Sequence, residues 1–156
     1  MPDTGLGRFV EAHEDDFDRA LGEIEAGRKR SHWMWYILPQ VDGLGASAIS
    51  RRYAIESVSE AEAFLLHPVL GEHYCRIIDA VWRQVVEQGV TIHQLFGSPD
   101  DVKLVSSLTL FAGVARRLAL PPPELTTFLA NADDILRVAH ARGLARCTIT
   151  ETFLAR

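Results

Sequence analysis

Residues 68–89 read PVLGEHYCRIIDAVWRQVVEQG, and their apolar positions decide the fold class. Large apolar side chains recur here at intervals of three and four, which is the spacing of one face of an amphipathic helix. They are Leu70, Tyr74, Ile77, Ile78, Val81, Trp82 and Val85. Pro68 suits the first turn of such a helix, and Gly89 suits its end because glycine adopts a left-handed conformation at little cost. This helix is the strongest candidate for the core.

Four further helices are predicted over residues 8–26, 59–67, 99–118 and 124–141, and apolar positions at the same spacing support those at 8–26 and 99–118. Gly27 follows the first of these helices and Gly143 follows the last, and both are expected stop signals. The chain shows no internal repeat and no stretch with the composition of a linker. We therefore predict one domain over residues 1–156.

Capping signals mark where three of these elements begin. Ser59 is followed by Glu62, the spacing of a capping box, in which each side chain accepts a hydrogen bond from the other residue's backbone N–H. Thr148 and Glu151 repeat this spacing and predict a last capped turn. Ser98 is the expected cap of the 99–118 helix, because serine is a favoured capping residue and a proline follows it.

Residues 28–56 differ from the rest because they lack a clean apolar period and contain Pro39, Gly43 and Gly45. We predict that this segment is mostly irregular, with a short helix from Ser47 to Tyr53. Its apolar run at 33–38, WMWYIL, has the residue types of a strand but no alternation, so a short buried strand and an aromatic loop are both open. The predicted fold is mainly α, with about five to seven helices and an irregular aromatic-rich segment at 28–56.

Composition narrows the partners and the compartment. The chain has 156 residues and a formal net charge of −5, which disfavours nucleic acid and anionic membranes because both attract basic surfaces. The N-terminus lacks the pattern of a signal peptide, and no apolar window is long enough to span a bilayer. Cys75 and Cys147 form no metal or redox motif, so we predict a reduced, cytoplasmic protein without metal or cofactor.

Residues 29–40, KRSHWMWYILPQ, are the first candidate binding segment. Aromatic faces stack on flat rings, and Lys29 or Arg30 suits an anion, so this composition fits a base beside a phosphate. His32 can move a proton near neutral pH. The alternative is that residues 33–36 fill the core where helices meet, while the cations are solvated.

A second polar group lies on the predicted 99–118 helix. Lys103 and Ser106 are three residues apart, which places them on one helix face where they can form a pocket wall. The alternative is structural: Asp100 and Asp101 complement the positive end of the helix dipole, and Lys103 is exposed. In that case the serines bond to helix carbonyl groups.

Four runs in this order resemble a bacterial family catalogued as domain of unknown function 1810, whose members are sometimes labelled calpastatin. They are SHWMWYILPQ, GLGASAISRRYAI, EAEAFLLHPVLG and FGSPDDVKLVSSLTLF. The resemblance covers residues 13–154. It implies a mainly helical, single-domain fold, and it implies no established activity.

The family pattern includes both polar groups described above. It falls on His32, Trp33, Trp35, Pro39, Gln40, Gly43, Leu44, Gly45, Ser47, Tyr53, His67, Pro68, Leu70, Gly71, Asp101, Lys103, Ser106, Thr109, Leu110 and Phe111. The chain departs from the pattern near its end, where similar sequences have Gly-x-x-Asp-x-x-Thr-Leu. Here Gly143 is followed by Arg146 in place of the aspartate, so no role is assigned to that position.

These observations lead to one main functional hypothesis. A small nucleotide-like or phosphorylated ligand binds between residues 29–53 and the start of the 99–118 helix, and hydrolase or glycosyl-transfer chemistry there would use His32 or Asp101 as acid or base. The candidate ligand-binding residues are Lys29, Arg30, His32, Trp33, Trp35, Gln40, Ser47, Tyr53, Lys103 and Ser106. The alternative is a non-catalytic interaction module whose aromatic patch anchors an unidentified protein partner.

Overall fold

The structure, a computed structural model, describes residues 5–155. Nine helices form within these residues: α1 (Gly7–Glu25), α2 (Met34–Ile37), α3 (Ala48–Tyr53), α4 (Val58–Leu66), α5 (Leu70–Trp82), α6 (Ile92–Phe96), α7 (Asp100–Arg117), α8 (Glu124–Ala141) and α9 (Thr148–Leu154). A π-helical turn, Arg83–Glu87, extends α5. Within the described range no helix is long and apolar enough to cross a membrane.

The mainly α prediction is confirmed. The described residues contain no strand, and one isolated parallel bridge joins Val41 to Ile55. The structure has more helices than the five to seven expected from the sequence. Segments as short as α2 and α6 contain too few residues to show an apolar period in the sequence. Each nevertheless forms a helical turn that local backbone hydrogen bonds close.

Helices α5 and α7 carry the core. Helix α5 packs against α1, α4 and α8, while α7 packs against α4, α6, α8 and α9. Tyr74 of α5 is fully buried, and its ring lies 4.5 Å from that of Phe111 on α7 and 5.6 Å from that of Phe128 on α8. Burying aromatic rings of this size is among the largest apolar contributions to a fold. The predicted central helix is therefore in place.

Glycine stop signals are confirmed. Gly27, Gly89 and Gly143 all have positive φ angles, of 89°, 73° and 93°. Each follows a helix or its π-helical extension, as the sequence predicts. A side chain at these positions would be strained.

Two of the predicted helix starts are wrong by one or two residues. The cap of α4 is Ser57, which accepts a hydrogen bond from the Glu60 backbone N–H at 3.0 Å, while Glu60 accepts from the Glu56 N–H. Two overlapping serine–glutamate pairs have the same spacing, so the sequence signal at Ser59 is degenerate. Helix α9 begins after Cys147 rather than at a Thr148 cap.

The predicted cap of α7 at Ser98 is also wrong. The helix begins at Asp100, and no side chain caps it from Pro99. Its first N–H groups are satisfied otherwise: the Asp101 N–H donates to the Gly97 carbonyl at 2.8 Å, and the Val102 N–H donates to the Asp101 carboxylate at 2.8 Å. These two N–H groups are therefore not available to the Ser98 hydroxyl.

Residues 33–38 form neither of the two structures considered from the sequence. Met34–Ile37 is a helical turn, closed by hydrogen bonds from the Ile37 N–H to the Trp33 carbonyl and from the Leu38 N–H to the Met34 carbonyl. The short helix expected from Ser47 to Tyr53 is present, and the Ser47 hydroxyl caps it by accepting from the Ser50 N–H.

A buried histidine pairs with a half-buried one at the edge of the core. His13 of α1 is 2% exposed, and its Nε2 lies 2.8 Å from the Tyr36 carbonyl, so Nε2 carries the hydrogen. Its Nδ1 is then free to accept from the Nδ1–H of His73 on α5, at 2.9 Å. This arrangement needs the His13 ring to be neutral, whereas the Nδ1–H of His73 is present in both its neutral and its protonated form. Burial lowers the pKa of His13 to about 4, and burial also lowers the pKa of His73.

Acidification should destabilise the fold through His13. Its pKa is about 4 in the folded chain against an ordinary 6.5, so the unfolded chain takes up this proton first as the pH falls. The contribution of His13 to the free energy of unfolding is complete above pH 6.5 and is lost as the pH falls from 6.5 to 4. It amounts to about 3 kcal/mol, since one pKa unit corresponds to roughly 1.4 kcal/mol. Urea unfolding at a series of pH values measures how steeply the free energy of unfolding changes with pH. His13→Phe should flatten it, and exposed His140→Gln should not; an unchanged slope in His13→Phe contradicts the assignment.

Gly71→Ala should destabilise the fold by about 1–3 kcal/mol, as overpacking does. A Cβ at position 71 would lie 2.0 Å from the Leu65 carbonyl oxygen, so α5 could not approach the end of α4 as closely. The matched control is Gly22→Ala in the last turn of α1, where a Cβ meets nothing within 4 Å. That change should stabilise by about 0.5–1 kcal/mol. Denaturant titration compares the two variants, and equal effects would contradict the packing argument.

Candidate functional site

The candidate segment is fixed to α1 by one carboxylate. Glu23 Oε1 accepts hydrogen bonds from the Arg30 and Ser31 backbone N–H groups and from the Trp33 indole N–H, at 2.8 to 2.9 Å. Its Oε2 accepts from the Ser31 hydroxyl at 2.6 Å. Burial by itself would raise the pKa of Glu23, but these hydrogen bonds outweigh it and lower the pKa to about 2. The carboxylate therefore holds the chain as it returns from α1.

The start of α7 brings two predicted lysines together on one carboxylate. Lys29 Nζ lies 2.7 Å from Asp100 Oδ2, and Lys103 Nζ lies 3.3 Å from Asp100 Oδ1. The Lys29 side chain is only 5% exposed, whereas that of Lys103 is 22% exposed. Two ammonium groups share one carboxylate, so the cluster has an uncompensated positive charge.

Both lysines also lie over tryptophan rings. Lys29 Nζ is 5.0 Å from the ring centroid of Trp33, and Lys103 Nζ is 4.2 Å from that of Trp35. Such cation–π contacts stabilise a cation by about 0.5–2 kcal/mol. They give each lysine a fixed position at the junction between the 28–56 segment and α7.

The 42–47 loop packs against the second tryptophan. A Cβ added at Gly45 would lie 3.1 Å from the Trp35 ring and 2.7 Å from the Ser50 Cβ, so only glycine allows this approach. We call the surface formed by Trp35, Gly45, Ser50, Asp100 and Lys103 the Trp35 face. Ser47 borders it as the cap of α3.

Three of the four residues at 33–36 belong to the core. Trp33 is fully buried, Tyr36 is 8% exposed and Met34 is 2% exposed. Trp35 is half-buried and is the aromatic ring of this group that solvent reaches. An exposed three-ring patch for a protein partner is therefore not formed, because two of its rings are inside.

Several other predicted site residues lie elsewhere. The Tyr53 ring packs against Phe9 and Tyr36, with centroids 5.7 and 5.1 Å apart. The Ser106 hydroxyl contacts Cys147 Sγ at 3.2 Å and donates to the Val102 carbonyl at 3.3 Å. These two residues do not extend the Trp35 face.

Arg30, His32 and Gln40 lie in the same segment but have different surroundings. Arg30 and His32 are exposed, and the His32 carbonyl accepts from the Tyr36 hydroxyl at 3.2 Å. Gln40 is 5% exposed, and its Nε2 is buried without a hydrogen-bond partner among the described residues. A buried donor without an acceptor costs free energy, and buried polar groups in proteins nearly always have a hydrogen-bond partner. The Gln40 amide is an exception to this rule.

Sequence reasoning missed His93, which contacts the predicted Asp101. His93 Nδ1 lies 3.4 Å from Asp101 Oδ2, at the junction of α6 and α7. The Asp101 side chain is 9% exposed and that of His93 is 70% exposed. Asp101 therefore faces His93 rather than the lysines, although it is adjacent to Asp100 in the chain. In residues 5–155 no three His, Cys, Asp or Glu side chains lie together as a metal site would require.

Comparison with known protein families identifies the family of this chain. The sequence profile of a family described as "Protein of unknown function (DUF1810)" matches residues 3–135. The chain belongs to this family. The resemblance in the four sequence runs is thereby confirmed.

The DUF1810 fold of this chain is similar to a solved structure, "Crystal structure of the conserved hypothetical protein Rv1873 from Mycobacterium tuberculosis at 1.38 A". The two chains are 37% identical with a TM-score of 0.79, over 97% of this chain and 96% of that one. None of the curated proteins matches the chain. Membership of DUF1810 therefore gives the fold and no activity.

Glu23→Gln should lower the free energy of unfolding of this DUF1810 member by about 1–3 kcal/mol. The amide NH₂ would face N–H and O–H donors where the carboxylate now accepts, and one accepting oxygen would be lost. The matched control is Glu25→Gln, two residues further along α1, where the side chain is exposed and the change should affect stability little. Denaturant unfolding monitored by tryptophan fluorescence measures both. Equal stabilities would show that this carboxylate does not hold the segment.

Proposed function

We propose that this protein binds a small nucleotide-like or otherwise phosphorylated ligand at the Trp35 face. The observation that carries the proposal is the uncompensated charge there: Lys29 and Lys103 share the single carboxylate of Asp100. A phosphate group near Lys103 would meet a cation that is already held in place. A preordered cation binds an anion with less loss of side-chain entropy.

Trp35 supplies a surface for the ring of such a ligand. Its indole is half-buried, with Lys103 over the ring and the 42–47 loop against its edge. A base stacked on the accessible part of this indole would place its phosphate within reach of the ammonium group. Stacking of a base on an aromatic side chain contributes about 1–3 kcal/mol.

Gln40 is a further predicted ligand-binding residue of the same segment. Its buried Nε2 donor needs an acceptor that the described residues do not supply. Carbonyl and phosphate oxygens of a nucleotide are acceptors of the required kind. The sequence also places Gln40 two residues before the 42–47 loop.

Turnover is a second step of the same proposal. Hydrolysis or glycosyl transfer on the bound ligand would use His32 as acid or base, because its side chain is exposed within the binding segment. Asp101 is a weaker candidate for that step since it contacts His93 on another side of α7. The cytoplasmic location also stays a prediction from sequence, consistent with Cys75 and Cys147 being free thiols.

Binding titrations with inorganic phosphate, AMP and ADP-ribose test the proposal. Lys103→Met should weaken binding of the two nucleotides about tenfold, since a charge-assisted hydrogen bond contributes about 1.5 kcal/mol. Trp35→Ala should weaken the nucleotides more than it weakens inorganic phosphate, because it removes the stacking surface as well as the ring that positions Lys103. Isothermal titration calorimetry gives the dissociation constants, and Arg137→Gln on α8 is the control expected to match the wild type.

Asp100→Asn is the sharpest variant because it should strengthen binding. The carboxylate competes with the ligand for both lysines, and removing a unit charge at about 4 Å in water changes the interaction by about 1 kcal/mol, or roughly fivefold. The same variant should lower the thermal stability, because Lys29 is buried and loses its partner. Wild-type protein that binds none of the three compounds, or an Asp100→Asn variant that binds them more weakly, would contradict the proposal.

A further inference from the structure

A separate cavity of about 360 Å³ lies on the other side of the α7 start. It is lined by the π-helical turn, by the start of α6 and the residues just before it, by the first turn of α7, and by the end of α8 and the residues just after it. Its volume is at the lower end of the range of small-molecule sites. Val85 of the π-helical turn forms part of the wall, and π-helical turns are rare and concentrate at functional sites.

Asp101 places an incompletely satisfied carboxylate in the cavity wall. Its Oδ1 accepts from the Val102 N–H at 2.8 Å, while its Oδ2 has only the 3.4 Å contact with His93. An ionised carboxylate can accept about four hydrogen bonds, so Asp101 has capacity for further donors. A primary ammonium group supplies three donors and the opposite charge.

Arg142 places a cation at the same cavity. It lies just after α8, is exposed, and forms no ion pair with any carboxylate of residues 5–155. A guanidinium group binds a carboxylate through two parallel hydrogen bonds. The cavity thus has one side chain for a positive group and one for a negative group.

The remaining wall is mostly aliphatic. Ile92, Val138 and Leu144 line it together with Val85. These side chains make no hydrogen bonds, so they favour an apolar body between the two charged ends of a ligand. Their branched shapes favour an aliphatic body of a few carbons over a large ring system.

We propose that this cavity binds a small zwitterion with an aliphatic body, of the class of the branched-chain amino acids. The ammonium group of the ligand contacts Asp101, its carboxylate contacts Arg142, and its side chain packs on Val138 and Ile92. His93 stands at the opening and orients Asp101. The proposal is independent of the Trp35 face, because no residue of that face lines the cavity.

Three related probes separate the two charged contacts: L-leucine, 4-methylpentanoate, which lacks the amine, and 3-methylbutylamine, which lacks the carboxylate. Amide chemical shifts in ¹⁵N-labelled full-length protein report binding. L-leucine should shift the amides of Ile92, Val138 and Leu144 at millimolar concentration, and each analogue should bind at least about tenfold more weakly than L-leucine.

Variants assign each contact. Asp101→Asn should weaken L-leucine and 3-methylbutylamine and leave 4-methylpentanoate unchanged, whereas Arg142→Gln should weaken L-leucine and 4-methylpentanoate and leave 3-methylbutylamine unchanged. Val138→Phe should abolish binding by filling the cavity, and it keeps the proposal testable if Asp101→Asn fails to fold. Arg19→Gln on α1 is the control and should bind L-leucine as the wild type does.

Absence of shifts at the cavity with all three probes would overturn the proposal. Equal weakening of all probes by Asp101→Asn and by Arg142→Gln would also overturn it, because the two side chains would then act only on the shape of the cavity. Neither result depends on whether nucleotides bind to the Trp35 face.

Discussion

The Glu23 carboxylate is the interaction on which the aromatic segment depends. It lies in the last turn of α1 and accepts four hydrogen bonds from residues 30–33 as the chain reverses direction. This fixes Trp33 inside the core, and the buried tryptophan in turn carries Lys29 over its ring. Lys29 then reaches Asp100 at the start of α7. A series of contacts thus connects the Glu23 carboxylate with the junction between the 28–56 segment and the start of α7.

The sequence predicts the long helices well because their signal is local. Apolar periodicity in α5 and α8 and the glycines at 27, 89 and 143 report backbone geometry that neighbouring residues determine. Helix starts are less predictable, since Ser57 and Ser59 both precede a glutamate by three residues and only one of them caps α4. The helical turn of α2 is not visible in its residue types. Its backbone conformation follows from the anchoring of Trp33, which is a tertiary contact ten residues away.

The candidate site shows the same division. Residue types alone selected Lys29, Trp35 and Lys103, and the structure brings them together at the start of α7. They could not show that Asp100 is shared by both lysines. Composition also could not distinguish Tyr53 and Ser106 from the residues of the Trp35 face. Both have suitable chemistry, but Tyr53 faces Phe9 and Ser106 faces Cys147. His93 was missed because nothing in its local sequence indicates that α6 places it beside Asp101.

The packing of α4 against α7 has a consequence for how the chain is made. Helix α4 ends at Leu66, and its partner α7 is complete only at Arg117, about fifty residues later. A ribosome adds roughly 5–20 residues per second, so the apolar face of α4 waits several seconds for its partner. During that interval Phe64 has Phe9 of α1 and Tyr74 of α5 as packing partners, but the side that contacts Phe111 of α7 in the finished fold stays uncovered. The synthesis rate along residues 67–117 therefore sets how long the side of α4 that packs on α7 stays uncovered.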